Sequence, residues 1–152
     1  MKRDFDSRAK DCDCGSSLRI SLGLVGVIEA MRATLNKRIE IVTGYYCPDC
    51  RSKRFGIKRD FHHNGIAADI RVEGMDLLDL FRHAETYDEI KGLGISFDEN
   101  HVHIDTRKED SREVWVEKDE EWILITDENR NEFIPPVTID TCDDDTPVDS
   151  EV

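Results

Sequence analysis

The sequence predicts an α+β domain: a small antiparallel sheet with two main helices. Three observations carry this prediction. Two segments, 18–36 and 74–87, repeat their apolar residues at helical spacing. Six short segments are β-branched or alternate in polarity with period two. After residue 92 the strand-like segments follow one another across tight turns with no helix between them, the pattern of hairpins.

The elements follow in order. Residues 1–17 are polar and loop-like. In 18–36, Leu24, Ile28, Met31 and Leu35 fall at spacings of four, three and four, which is one helical face, and Asn36 is expected to end the helix. "RIEIVTG", 38–44, reads as a strand ending at Gly44, and 45–60 as a long basic loop. "GIAADIRV", 65–72, is the next strand. In 74–87, Leu77, Leu80, Phe81 and Ala84 share one helical side, and His83 takes a polar position. Segments 92–97 and 101–107 are strands joined by the turn Asp98-Glu99-Asn100. Segments 113–118 and 121–126 flank Asp119-Glu120 as a last hairpin. The main domain is thus expected over 18–126. A cysteine-containing segment, 1–17, precedes it, and an extended acidic tail, 127–152, follows it and is expected to be disordered.

Composition narrows the function. The 152 residues are 38% hydrophobic and 36% charged, which suits a soluble domain with a real core. The net charge of -13 argues against a nucleic-acid partner, because phosphates would be repelled. No apolar run is long enough to span a membrane, and the N-terminus lacks the shape of a signal peptide. The expectation is a monomer made in the cytoplasm and reaching any external target by a route such as phage-type lysis. The five cysteines include two close pairs, Cys12 and Cys14 in "CDCG" and Cys47 and Cys50 in "CPDC", with Cys142 alone. Four thiolates so spaced can hold one structural zinc; equally, they can staple the N-terminal segment to the following loop as reduced or disulfide-linked pairs.

Two segments concentrate the histidines. "DFHHNGIAADIRV", 60–72, holds His62 and His63, and "ENHVHIDTR", 99–107, holds His101 and His103. Strand alternation puts His101, His103 and Asp105 on one face and Val102 and Ile104 on the core face. Asp69 lies in a strand rich in small residues, Gly65, Ala67 and Ala68, where a backbone or ligand can approach closely. A carboxylate in such a segment is costly to bury without a cation. Two histidines and a carboxylate with a fourth position open form the donor set of a catalytic zinc. The same residues also fit two exposed hairpin histidines and a salt-bridged aspartate.

The two histidine segments together resemble the zinc D-alanyl-D-alanine carboxypeptidase and dipeptidase family, which includes phage L-alanyl-D-glutamate endolysins. In "HHNGIAADI", His62, Gly65, Ala67 and Asp69 match the family's S-x-H-x-x-G-x-A-x-D signature. "HVHID" resembles its second motif, "VTGYYCPDC" its "SGYRCP" segment, and "CDCG" the short run that opens many small members. The resemblance covers roughly residues 10–107. It implies zinc ligands His62, Asp69 and His103, cleavage of peptidoglycan stem peptides beside D-amino acids, and the zinc fold shared with hedgehog signalling domains.

Roles follow within that resemblance. His101 is the first choice for general base, with Asp98 and Glu99 in the adjoining turn as alternatives. Asp105 is expected to orient a histidine from behind, and His63 to point away from His62. Asp60 stands where the family has serine, and Tyr46 where it has an arginine that binds substrate. Tyr46 can donate a hydrogen bond to an oxyanion, and Arg51, Arg54 or Arg59 can replace the missing cation. Two other readings remain open: a zinc-binding domain of this fold without turnover, and a structural module of a wall or virion assembly.

Overall fold

A computed structural model of the chain describes residues 20–44, 61–62 and 65–138. All five cysteines, with Tyr46, Arg51, Arg54, Arg59, Asp60 and His63, lie outside the described residues. Helix α1 spans Leu22–Leu35. The Ser21 hydroxyl accepts the N–H of Gly23 at its start, and Asn36 ends it in the left-handed region at φ 50. Strand β1, Ile39–Thr43, and strand β2, Ala67–Val72, come next. Helix α2 spans Leu77–Glu85 and is capped by the Asp76 carboxylate, which accepts from Leu78 at 2.7 Å. Then follow β3, Gly92–Ser96, β4, His101–Asp105, β5, Glu113–Lys118, and β6, Glu121–Leu124. Among the described residues, no helix is long and apolar enough to cross a membrane.

The six strands form one sheet in the order β1-β2-β4-β3-β5-β6. Alternation divides it cleanly into two faces. Ile39, Ile41, Ala68, Ile70, Leu93, Ile95, Val102, Ile104 and Val116 join Leu24, Val27, Ile28 and Met31 of α1 and Leu80, Phe81 and Ala84 of α2 in one buried cluster. Every apolar position singled out on the two helices is thus buried or packed against that cluster. The other face carries Asp69, His101, His103 and Asp105.

Two features depart from the expected architecture. The β3–β5 pair is parallel, so the sheet is mostly rather than wholly antiparallel. The reason lies in edge availability. One edge of β3 and both edges of β4 are taken, so the 106–112 link must carry the chain past β3 to its free edge. Arg112 in that link donates to the carbonyls of Glu85, Tyr87 and Ile90 at 2.6 to 2.8 Å, pinning the crossover to the end of α2. The second departure is at residue 127, where the chain does not become an extended tail. Arg130–Phe133 forms a short helix, α3; Ile134 is 2% exposed in the core; and Arg130 pairs with Glu85 at 2.6 Å. An apolar pair, Phe133 and Ile134, is enough to dock this stretch despite its acidic neighbours. Residues 139–152 lie outside the described residues.

Candidate metal centre

The polar face is assembled by register. Asp69 of β2 stands opposite His103 of β4, which stands opposite Gly94 of β3, which stands opposite Trp115 of β5. All four belong to one row across the sheet, on the side away from the helices. His62 arrives from the chain before β2. Gly65, at φ 71, takes a backbone conformation that a side chain strains, and its N–H donates to the His62 carbonyl at 3.1 Å. A bulge in β1 between Ile41 and Thr43 brings the strand end to the same place. There the Gly44 carbonyl accepts from Nδ1 of His62 at 3.0 Å. A carbonyl can only accept, so Nδ1 carries the proton and the lone pair of His62 sits on Nε2.

Nε2 of His62 lies 3.4 Å from Oδ1 of Asp69, and Nδ1 of His103 lies 2.9 Å from that same oxygen. Ligand atoms of these three residues all fall within 4.8 Å of one another. Donors of one tetrahedral zinc at about 2.1 Å stand about 3.4 Å apart, so the donor set fits the ion in number, type and spacing. The far side of His103 is equally organised. Its Nε2 donates to Oδ2 of Asp105 at 2.9 Å, and the fully buried Asp105 is gripped by the Arg107 guanidinium at 2.7 and 2.8 Å. A carboxylate behind a metal-ligating histidine fixes its ring and raises its basicity. The sequence offered Asp105 as a residue that orients a histidine; here it bonds the ring nitrogen of His103 that faces away from Asp69.

Electrostatics follows from these contacts. Burial opposes charge on Asp69, but hydrogen bonds from His103 and His62 overcome it and hold the carboxyl well below the usual carboxylate range. Asp105 is likewise buried, and Arg107 and His103 hold it low. Burial also opposes charge on His103, yet the flanking Asp105 and Asp69 raise its pKa to about 9. A raised pKa contributes stability that is fully present below about 6.5, the ordinary histidine value, and is lost as pH rises through about 9. Metal-depleted protein is therefore expected to melt at progressively lower temperature between those values, measured in chelator. A metal must displace the Nδ1 proton, so zinc affinity should rise with pH over the same window, up to about tenfold per unit. Competition with a chromophoric chelator from pH 6.5 upward checks this.

His101 is 6% exposed, with Nε2 3.7 Å from Asp69 and Nδ1 3.8 Å from Oε2 of Glu99. That Nδ1 is buried without a hydrogen-bond partner among the described residues. Glu99 lies on the exposed rim of the same pocket. Asp98 belongs elsewhere. Both of its carboxylate oxygens accept backbone N–H groups, of Asp119 at 3.0 Å and Glu120 at 2.9 Å, and it does not line the pocket. Those two turn residues have φ of 54 and 64, so the tight β5–β6 turn employs this carboxylate for its own backbone. His83 sits on α2 beside Tyr87, at a ring distance of 5.4 Å, away from the site.

The pocket over these residues has a volume of about 420 Å³. Several parts of its wall went unread in the sequence. Trp115 packs on His103 with ring centroids 5.0 Å apart, and Trp122 stacks on Trp115 at 6.3 Å. Arg107 lies 4.2 Å over the Phe61 ring as well as on Asp105. Arg107 was legible in principle, two residues beyond Asp105 and so on the same face. Gly92 and Gly94 also carried a signal, alternating on the strand opposite Asp105 and His103. A Cβ on Gly92 would lie 1.9 Å from Oδ2 of Asp105, and one on Gly94 2.4 Å from the Trp115 indole. Gly92→Ala is expected to cost about 1 to 3 kcal/mol by overpacking and to weaken zinc affinity by turning Asp105 off His103. Denaturant melts and a zinc titration read both effects.

No curated protein matched the chain. The model of the family described as Peptidase M15 matches residues 2–105, which includes all three candidate ligands and ends at the last residue of β4. That match covers more than half of the sequence and encloses a group of residues that could hold a metal ion, M15 peptidases being zinc enzymes, so the chain belongs to the peptidase M15 family of metallopeptidases.

Proposed function

We propose that the protein is a zinc-dependent peptidase that hydrolyses peptidoglycan stem peptides at bonds next to D-amino acids, of the D-Ala-D-Ala carboxypeptidase or endolysin type. The observation that carries this reading is the convergence of His62, Asp69 and His103 on the floor of an open pocket, with His101 beside them. When bound there, zinc polarises the scissile carbonyl and makes water nucleophilic near neutral pH. The remaining chemistry falls to the chain. His101 Nε2 faces the donor group and accepts the proton of the attacking water. The C–N bond then breaks, and the same nitrogen returns the proton to the departing amine. Glu99, 3.8 Å from Nδ1, supports the imidazolium between those two events. Arg107 and Asp105 keep His103 oriented throughout. The protein would meet its substrate after release at the wall by cell lysis.

The test is digestion of purified peptidoglycan followed by mass spectrometry of the fragments. A new amino end at a bond beside a D-residue, lost with chelator, is expected. Tyr46 at the position of the family's arginine favours a second reading, a zinc-binding domain of this fold without turnover. Tight binding of stem peptides with every bond left intact would decide for it.

A further inference from the structure

The family match ends at residue 105, but the pocket does not. Strands β5 and β6 lie beyond the match and supply Trp115, Glu113, Glu117 and Trp122 to its wall. Glu117 stands opposite Ser96, which stands opposite His101, and on its other side Glu117 faces Trp122. These residues form a second row across the sheet, next to the one through His103. Two strand spacings, about 10 Å, separate the Glu117 and His101 backbones. Trp122 is 54% exposed and lines the pocket.

Charge and aromatic surface coincide here. Glu99 adds a third carboxylate at the rim. Among the described residues, Arg107 is the only guanidinium or ammonium in the wall, and it is held by Asp105 and approaches Glu113 at 3.8 Å. Glu99 also stands 3.8 Å from Nδ1 of His101, which is buried. Carboxylates and an exposed indole within one pocket are complementary to a primary ammonium: three N–H donors and a charge that an indole face attracts.

We infer that the β5–β6 wall selects peptides by a primary ammonium group, from a diamino-acid side chain or a free amino end, received by Glu117, Glu99 and the Trp122 indole. This deepens the peptidase reading and rests on it for the identity of the ligand as a substrate. It gives a reason for the β5–β6 extension, since the ligand triad is complete without it.

The chain's two tryptophans are Trp115 and Trp122, so intrinsic fluorescence reports on this wall without any turnover. Zinc-loaded protein is titrated with three peptides: Nα-acetyl-L-lysyl-D-alanyl-D-alanine, its Nε-acetyl derivative, and the Nε-acetylated peptide with a free α-amine. The free side-chain amine is expected to bind about tenfold tighter than the diacetyl peptide, and salt should shrink that ratio. Tighter binding of the third peptide alone would place the recognised ammonium at the amino end. Glu117→Gln should abolish the ratio while leaving diacetyl binding unchanged; its backbone carbonyl, which accepts from Phe97 at 2.9 Å, is untouched. Equal affinity for all three peptides, or a ratio that survives both Glu117→Gln and Trp122→Ala, overturns the inference. If discrimination is present but neither these peptides nor purified peptidoglycan is cut, the wall stands and the peptidase reading fails. If all three are cut and bound equally, the peptidase reading stands and the wall inference fails.

Discussion

Asp69→Ala is expected to lose one zinc per chain and all detectable hydrolysis while keeping the fold. Asp69 is the hub of the centre, its Oδ1 lying 2.9 Å from His103 and 3.4 Å from His62. With the carboxylate gone, only two histidines remain, short of the three protein ligands of a catalytic zinc site. The fold should persist because β2 is held from its other face, where Ala68 and Ile70 are fully buried. Zinc at 100 times its Kd should stabilise the wild type by about 2.7 kcal/mol, and this increment should vanish in the variant. Metal analysis and paired thermal melts with and without zinc measure both. A variant that keeps its zinc-dependent rise in Tm would place the metal elsewhere, the cysteine pairs being the obvious alternative.

The second large effect separates chemistry from metal binding. His101→Ala is expected to keep its zinc and melting temperature but lose about 100- to 10,000-fold in kcat, the usual contribution of a general base. His101 neighbours the centre without being one of its convergent donors, and its imidazole faces Asp69 on one side and Glu99 on the other. Glu99→Gln should cost less, because the exposed carboxylate supports the ring rather than reaching the centre. Asp98→Ala should act on stability rather than rate, through the two backbone N–H groups it holds in the β5–β6 turn. If Glu99→Gln lost the larger factor and His101→Ala turned over normally, the base would be the rim glutamate.

How much of this was legible follows from which forces the sequence displays locally. Strand alternation alone placed His101, His103 and Asp105 on one face and Val102 and Ile104 in the core. Helical spacing found the buried faces of α1 and α2 for the same reason: burial repeats with the backbone period. The pairing of Asp69 with His103 was reached only through the motif resemblance, since 34 residues separate them and register is set by the whole sheet. The parallel entry of β5 was not legible, because it depends on which edge of β3 is left free. Nothing local therefore announced Trp115, Trp122 or Glu117 as pocket wall. Asp98 misled for a related reason. A carboxylate in a turn beside the site resembles a base until its backbone partners, 21 and 22 residues away, are known. The stretch after residue 126 was judged by its charge, whereas the two apolar residues Phe133 and Ile134 decide where it docks.

The most direct measurement is hydrolysis of a stem peptide by protein stripped with chelator and then titrated with zinc. Cleavage should disappear on stripping and return in proportion to zinc, saturating at one equivalent per chain in wild type and never returning in Asp69→Ala. Undiminished cleavage by the stripped protein, or recovery in Asp69→Ala equal to wild type, would contradict a catalytic centre built from His62, Asp69 and His103.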